Sequence, residues 1–353
     1  MANVKRRKKI FCEFAFLKKF RSANAHISPI DNAEALSNWV AVMKYIQKSH
    51  LLVDVDKQTF ADNVRMGDAI FRLYKQSSQG QFTINYASTQ AEKDVDFYIG
   101  QPESVTTSYL LTKKSAICQH FRKSYGVNVL SPECWTSNES AKENSFYFRD
   151  CGSIIDKRDR LSWSSIFRSE YQLSNCNSML IVDNYIEKNL ERNLLAILDA
   201  LLPESLYEIE FHLTILTQRN DKRNTESYQE EYDKICKFVK LKRPKLNCQV
   251  ELYVTTEKSG FHDRSIITNN AKIDSGAGFS LLNGSGNVQN DTQIEIVHPY
   301  LQSYSDSCDL AYEKSINDIR AKIDEIDDAT RRKSGFGMHW PSDRPSINRL
   351  LRM

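Results

Sequence analysis

The sequence predicts an α/β protein of two domains, each with a mostly parallel or mixed sheet flanked by helices. Candidate strands alternate with candidate helices in two separate blocks of the chain, which is the pattern of parallel sheets. A polar, weakly periodic stretch lies between the blocks, and 353 residues are too many for one small domain. We therefore expect a first domain over 1–135, a connection over 136–165, a second domain over 166–330 and a tail over 331–353.

The first block begins with an apolar run typical of a buried strand, KIFCEFAFL. Further strands are predicted in LLVDV, SYLLT and VNVL. Helical spacing of apolar residues predicts helices in residues 32–48, in QTFADNVRMGDAIFRLYKQS and in KSAICQHFRKSYG, which ends at Gly126.

The second block alternates in the same way. Strands are predicted in SMLIVDNYI, LYEIEFHLTILT, CQVELYVTT and HDRSIITN. Helices are predicted in EKNLERNLLAILDALLP, TESYQEEYDKICKFVKLK and DLAYEKSINDIRAKIDEI.

Composition narrows the class of protein. The eight cysteines form no C-x-x-C pair, so no zinc ribbon or redox motif is indicated and we expect no cofactor. No apolar run reaches the ~18 residues of a membrane span, and Glu13 interrupts the apolar stretch that follows the basic start. We expect a cytoplasmic protein without membrane contact. Basic clusters such as Lys240–Lys245 suit nucleic-acid phosphates, although solvated helix ends have the same composition.

One stretch carries a recognisable spacing, FHDRSIITNNAKIDSGAGFSLL. His262 and Arg264 are separated by one residue, four residues lead to Asn269, and six more lead to Gly276. These intervals resemble the phospholipase D superfamily motif H-x-K-x4-D-x6-G-S-x-x-N. Arg264 stands for the lysine, Asn269 for the aspartate, Ala277 for the serine and Ser280 for the asparagine. The elements from the acid-ended strand at Asp183 to the motif also follow the order of that family.

The resemblance implies a chemistry for each position. A neutral imidazole can attack a phosphodiester and later leave, so His262 is the expected nucleophile. A strand places residues i and i+2 on one face, so Arg264 would clamp the phosphate beside it. Gly276 and Gly278 would bring backbone N–H groups to the phosphate. Asn269 and Ser280 would give polar support, without any metal.

Asp183 has two interpretations. At a strand end beside the motif it could orient the histidine or protonate a leaving group. It could equally be an acid at the start of the following helix, where it would favour the helix dipole.

The departures from the family motif leave the function open. Family enzymes use two motifs, and single-motif members share one site in a dimer, so one motif here implies a homodimer. The first hypothesis is metal-independent cleavage of nucleic acid, DNA or RNA, by analogy with the family in prokaryotic defence. The second is an inactive module that binds nucleic acid or a further protein subunit. A third is a scaffold that binds no phosphate.

The first block is similar to the PIN-like nuclease fold. Glu13 and Leu17 occupy the places of the acid and the leucine that open that fold, and Thr112 begins its T-x-D. Lys114 replaces the aspartate, and a lysine there would repel the divalent metal that such nucleases need. A weak metal site involving Glu13 and Asp54, with Asp56 and Asp68 as further acids, is the alternative to a plain α/β scaffold.

Overall fold

A computed structural model of the chain divides into two compact units. The N-terminal unit comprises Met1–Phe148 with Tyr300–Ser305, and the C-terminal unit comprises Arg149–Pro299 with Asp306–Met353. The structure describes residues 9–24, 46, 49–64, 69–80, 83–101, 107–131, 151–156, 161–168, 176–185, 188–220, 223–256, 264–297, 306–331 and 337–352. Both units contain helices and a sheet, which confirms the predicted α/β class.

The sheet of the N-terminal unit is parallel throughout, with strand order β3-β2-β1-β4-β5. Its strands are β1 (Lys9–Cys12), β2 (His50–Val53), β3 (Ile84–Tyr86), β4 (Thr107–Leu110) and β5 (Val129–Leu130). Its helices are α1 (Phe14–Asn24), α2 (Lys57–Asp62), α3 (Ala69–Ser78), α4 (Val95–Ile99) and α5 (Ser115–Tyr125), with a 3-10 turn at Ala91–Lys93. Successive β1 residues enter different cores: Ile10 and Cys12 pack in one, Phe11 in the other.

The structure corrects two predicted elements of this unit. The strand predicted in KIFCEFAFL ends at Cys12, and its second half is the start of α1. The helix predicted from Gln58 onward is two helices, because α2 ends at Asp62 and α3 begins at Ala69. The helix that Gly126 ends is confirmed: this glycine caps α5 with φ 60°, a left-handed conformation that favours glycine. Most of the helix predicted over 32–48 lies outside the described residues.

The sheet of the C-terminal unit is mixed, with strand order β13-β9-β8-β7-β10-β11-β12-β6. Its strands are β6 (Cys151–Ile155), β7 (Ser178–Val182), β8 (Phe211–Gln218), β9 (Cys248–Thr255), β10 (Ser265–Thr268), β11 (Lys272–Ser275), β12 (Thr292–Val297) and β13 (Gly337–Trp340). Its helices are α6 (Trp163–Arg168), α7 (Leu194–Leu201), α8 (Thr225–Lys242), α9 (Asp306–Arg331) and α10 (Arg349–Arg352). The centre, β7-β8-β9, is parallel, and the other pairings are antiparallel.

The two faces of this central sheet differ in character. One face carries apolar side chains such as Ile181, Ile215 and Leu252, which share a core with α7 and α8. Thr214 and Glu251 alternate with these residues along their strands, and their side chains are joined by a hydrogen bond of 2.7 Å. This sheet therefore has one apolar face and one face with buried polar groups.

The segment after β13 covers part of the polar face. Ser346 Oγ and the Ile347 N–H donate to the buried carboxylate of Glu251 at 2.6 and 2.7 Å. The fully buried Asn348 side chain donates to the Met179 carbonyl at 3.1 Å, across 169 residues of chain. Residues 331–353, predicted as a tail, thus supply an edge strand and a covering segment to the C-terminal unit. The predicted connection over 136–165 likewise contains β6, which pairs with β12.

None of the described helices is both long and apolar enough to cross a membrane.

Candidate functional site

The motif arginine lies at the carboxyl edge of the three parallel strands. Strand β10 runs antiparallel to β7, with Ser265 opposite Val182. Arg264 precedes this pair on one strand and Asp183 follows it on the other, so the register brings the two residues to the same edge. Ligand sites of open α/β sheets lie at this edge.

A glycine turn creates the space for the arginine side chain. Gly278 has φ +82°, and a Cβ placed on it would lie 2.6 Å from Arg264 Cδ and 2.8 Å from Asp183 Oδ2. The Arg264 side chain therefore crosses directly over the glycine backbone. Its guanidinium carbon lies 5.4 Å from the centre of the Tyr185 ring.

Asp183 ties two loops together beneath the arginine. Its Oδ1 accepts the Tyr185 N–H at 2.7 Å, and its Oδ2 accepts the Phe279 N–H at 2.5 Å. Burial raises the pKa of Asp183, while the two backbone hydrogen bonds and the nearby Arg264 charge oppose that rise. Asp183 is 1 % exposed, and each of its carboxylate oxygens accepts a backbone N–H. Its role in the structure is therefore to hold the loop at Tyr185 and the loop at Phe279 together. The next described helix, α7, begins only at Leu194, so Asp183 does not lie at its start.

Gly276, Gly278 and Ser280 are engaged in the turn itself. The Gly276 N–H donates to the Gln293 carbonyl at 3.2 Å, and the Gly278 N–H donates to the Ser275 carbonyl at 3.1 Å. Ser280 Oγ donates to the Tyr185 carbonyl at 2.5 Å. These two N–H groups hold the shape of the turn, which differs from the predicted role of pointing at a phosphate.

Asn269 lies at the other end of β10. Five residues along a strand span roughly 16 Å, and Asn269 is only 1 % exposed. Its Oδ1 accepts the Asn177 N–H at 3.0 Å, which fixes the amino end of β7. The structure does not bring Asn269 together with Arg264. His262 lies outside the described residues.

Arg264 and two residues that the motif does not include define the exposed part of the site. Tyr185 is 42 % exposed, and the Lys188 ammonium lies 4.1 Å from the centre of its ring. Within the described parts of the chain, no residue accepts a hydrogen bond from the Arg264 guanidinium. The site therefore presents a partly exposed cation with open donors, an aromatic ring and a second cation. The run Asp183-Asn184-Tyr185 after a buried strand was the sequence signal for the ring.

Glu13 and Asp54 of the N-terminal unit accept hydrogen bonds from backbone N–H groups of the same unit. Glu13 accepts hydrogen bonds from the Thr112 N–H at 2.6 Å and from the Thr112 hydroxyl, and Lys113 lies 3.9 Å from its other oxygen. Asp54 accepts the Phe14 N–H at 2.6 Å, and burial first, then the Glu13 charge, raise its pKa. In the described ranges no group of three or more His, Cys, Asp or Glu is placed to hold a metal ion. Asp56 caps α2, and Asp68 is outside the described residues. Glu13 and Asp54, with Lys113 beside Glu13, do not fit a divalent metal.

No protein-family model matches the sequence, and no curated protein matches it.

Proposed function

We propose that the C-terminal unit binds nucleic acid by holding a backbone phosphate at Arg264. The observation that carries this proposal is the partly exposed guanidinium at the carboxyl edge of β7, with its hydrogen-bond donors open among the described residues. A guanidinium matches two oxygens of a phosphate, and such charge-assisted bonds are about twice as strong as neutral ones.

The local charge balance supports an anionic ligand. Asp183 lies close to Arg264, and both of its oxygens already accept backbone N–H groups. The Lys188 ammonium lies 4.1 Å from the centre of the Tyr185 ring. Among the described residues, two cations therefore surround the Tyr185 ring, while the nearby carboxylate is already bonded to backbone N–H groups.

Binding without cleavage is the better supported form of this function. A cleavage site needs a nucleophile, a proton donor and groups that stabilise the transition state. Asp183 and Ser280 are occupied by loop contacts, and Asn269 lies at the wrong end of β10. Arg264 is the described motif residue with donors to offer.

Metal-independent cleavage is the second candidate, and the order of elements favours it. The acid-ended strand β7 is followed by helix, strand, helix and strand before β10, as the resemblance implies. In this mechanism the imidazole of His262 attacks phosphorus, forms a P–N bond and expels one ester oxygen. Water then breaks the P–N bond and restores the imidazole. A second copy of the chain would protonate the departing oxygen.

With either candidate we propose a cytoplasmic protein, with DNA or RNA as partner and a homodimer or a further protein subunit completing the assembly. A role in prokaryotic defence follows from the resemblance alone.

Binding and cleavage are separated by testing labelled DNA and RNA with EDTA present. Arg264→Ala should weaken binding by about 10- to 100-fold and lower the salt slope by about one. Arg344→Ala is the matched control, because this exposed arginine lies at the opposite edge and contacts Gln249. Equal loss in both variants would mean unspecific charge attraction and sink the proposal.

His262→Ala decides between the two candidates. Cutting that survives EDTA and disappears in this variant would establish the covalent-histidine mechanism. Unchanged binding by both proteins without any cutting supports the binding module.

A further inference from the structure

Tyr185 is an exposed aromatic ring on a firmly held backbone. Its N–H donates to Asp183 at 2.7 Å, and its carbonyl accepts from Ser280 at 2.5 Å. The side chain is nevertheless 42 % exposed. A ring that is this exposed contributes little to a hydrophobic core. The two hydrogen bonds nevertheless fix the backbone, and with it the direction in which the side chain leaves the chain.

Both cations of the site lie near the ring. Lys188 Nζ is 4.1 Å from the ring centre, and the Arg264 guanidinium carbon is 5.4 Å from it. The combination of an aromatic face with a positive rim is the one by which proteins hold unpaired bases and their phosphates.

We propose that the nucleic acid bound at this site is single-stranded, with one unpaired base stacked on Tyr185 and an adjacent phosphate held by Arg264. This inference rests on the proposed function, because it names the substrate class of the same site. Every base offers a π-face to such a ring, so the binding tolerates different sequences. A duplex hides these faces inside its own stack and can offer the site its phosphates only.

Lys188 does not prevent the stacking. Its side chain is exposed, and an exposed cation–π contact is weaker than the stacking of a base on an aromatic ring. A base that displaces the ammonium from the ring leaves it beside the strand, where it can pair with the next phosphate.

The test compares a labelled oligothymidine with a duplex of equal length, by fluorescence anisotropy. Wild type should prefer the single strand, and Tyr185→Ala should lose about 5- to 100-fold of that affinity. Tyr185→Phe should retain it. Tyr207→Ala is the matched control, since this tyrosine is 64 % exposed in the same unit and away from the site. Tyr185→Leu keeps the apolar bulk without a ring, and should behave like the alanine variant.

The outcomes separate this inference from the proposed function. Loss of binding in Arg264→Ala with none in Tyr185→Ala would overturn the stacking and leave the phosphate site standing. A preference of wild type for the duplex would also overturn it. If neither variant changes binding, both the inference and the proposed function fail. Thermal unfolding of each variant confirms that it is folded.

Discussion

Replacing Gly278 by alanine tests whether the glycine turn makes the place for Arg264. The new Cβ would lie 2.6 Å from Arg264 Cδ and 2.8 Å from Asp183 Oδ2, where ordinary contacts begin at 3.4 Å. The arginine must therefore move by roughly 1 Å, which is enough to spoil a directional hydrogen bond to a phosphate. We expect phosphate or oligonucleotide affinity to fall about tenfold or more, the worth of one charge-assisted bond.

The same substitution has a cost in stability that can be worked out in two parts. The left-handed backbone, φ +82°, costs an alanine about 1–2 kcal/mol. Displacing the Asp183 carboxylate from the Phe279 N–H adds about 1.5–3 kcal/mol, because a hydrogen bond to a charged group is lost. The free energy of unfolding should thus fall by about 2.5–5 kcal/mol in total.

Gly286→Ala is the control that isolates the clash. Gly286 has φ +79°, but a Cβ there would meet nothing within 4 Å. It should lose only the backbone part, about 1–2 kcal/mol, and bind as wild type. The melting temperature of Gly278→Ala should lie about 3–12 °C below that of the control. Equal stability and equal binding in the two variants would refute the role assigned to Gly278.

Three further predictions concern buried polar groups. Asn348→Ala should lower the free energy of unfolding by about 2–4 kcal/mol in urea titrations, since it leaves buried carbonyl and N–H groups unpaired. The control Asn290→Ala, at an exposed position, should change the free energy of unfolding little. A similar loss in both variants would contradict the stabilising role of the Asn348 side chain. The raised pKa of Asp54 means that the N-terminal unit loses stability as the pH rises from 3.8 through the raised value. Asp54→Asn should remove this loss of stability with pH, while its amide oxygen still accepts the Phe14 N–H. An unchanged dependence of stability on pH in this variant would contradict the raised pKa. Burial lowers the pKa of His212 to about 4, against the opposing effect of the Glu210 carboxylate, so the stability from its neutral form is present above pH 6.5 and is lost on acidification. The NMR resonance missing in His212→Gln should titrate near pH 4, and titration near 6.5 would show that burial does not dominate its pKa.

Local signals predicted the elements that carry the central sheets. The sequence TESYQEEYDKICKFVKLK predicts a helix, and α8 spans Thr225–Lys242, which is that stretch. Strands β7, β8 and β9 lie in the predicted apolar runs, because strands of a buried parallel sheet have nearly continuous runs of hydrophobic residues.

Pairing between distant segments could not be predicted in this way. Strands β6 and β13 are short edge strands whose partners are far away in the chain, and neither sequence is a continuous apolar run. The proximity of Asp183 to Arg264 depends on the register of β10 against β7, which no local pattern contains.

The spacing of the motif did not predict which of its residues lie together in the structure. Residues two apart on a strand share a face, but five residues separate Arg264 from Asn269 and put them at opposite ends of β10. The N–H of Gly276 and the hydroxyl of Ser280 form hydrogen bonds within the chain, since a tight turn uses its own polar groups to hold its shape.

The anchoring of Asn348 to Met179 fixes the order in which the C-terminal unit can be finished during synthesis. The central strand β7 leaves the ribosome long before its cover, because 169 residues separate the two bonded positions. At ~5–20 residues per second this interval lasts about 8–34 s. Glu251 is separated from Ser346 by 95 residues, so for about 5–19 s its carboxylate lacks its bonds to Ser346 and Ile347. During that time this face of the sheet offers hydrogen-bond acceptors that are covered in the finished unit. The nascent unit is therefore a different binding surface from the finished one.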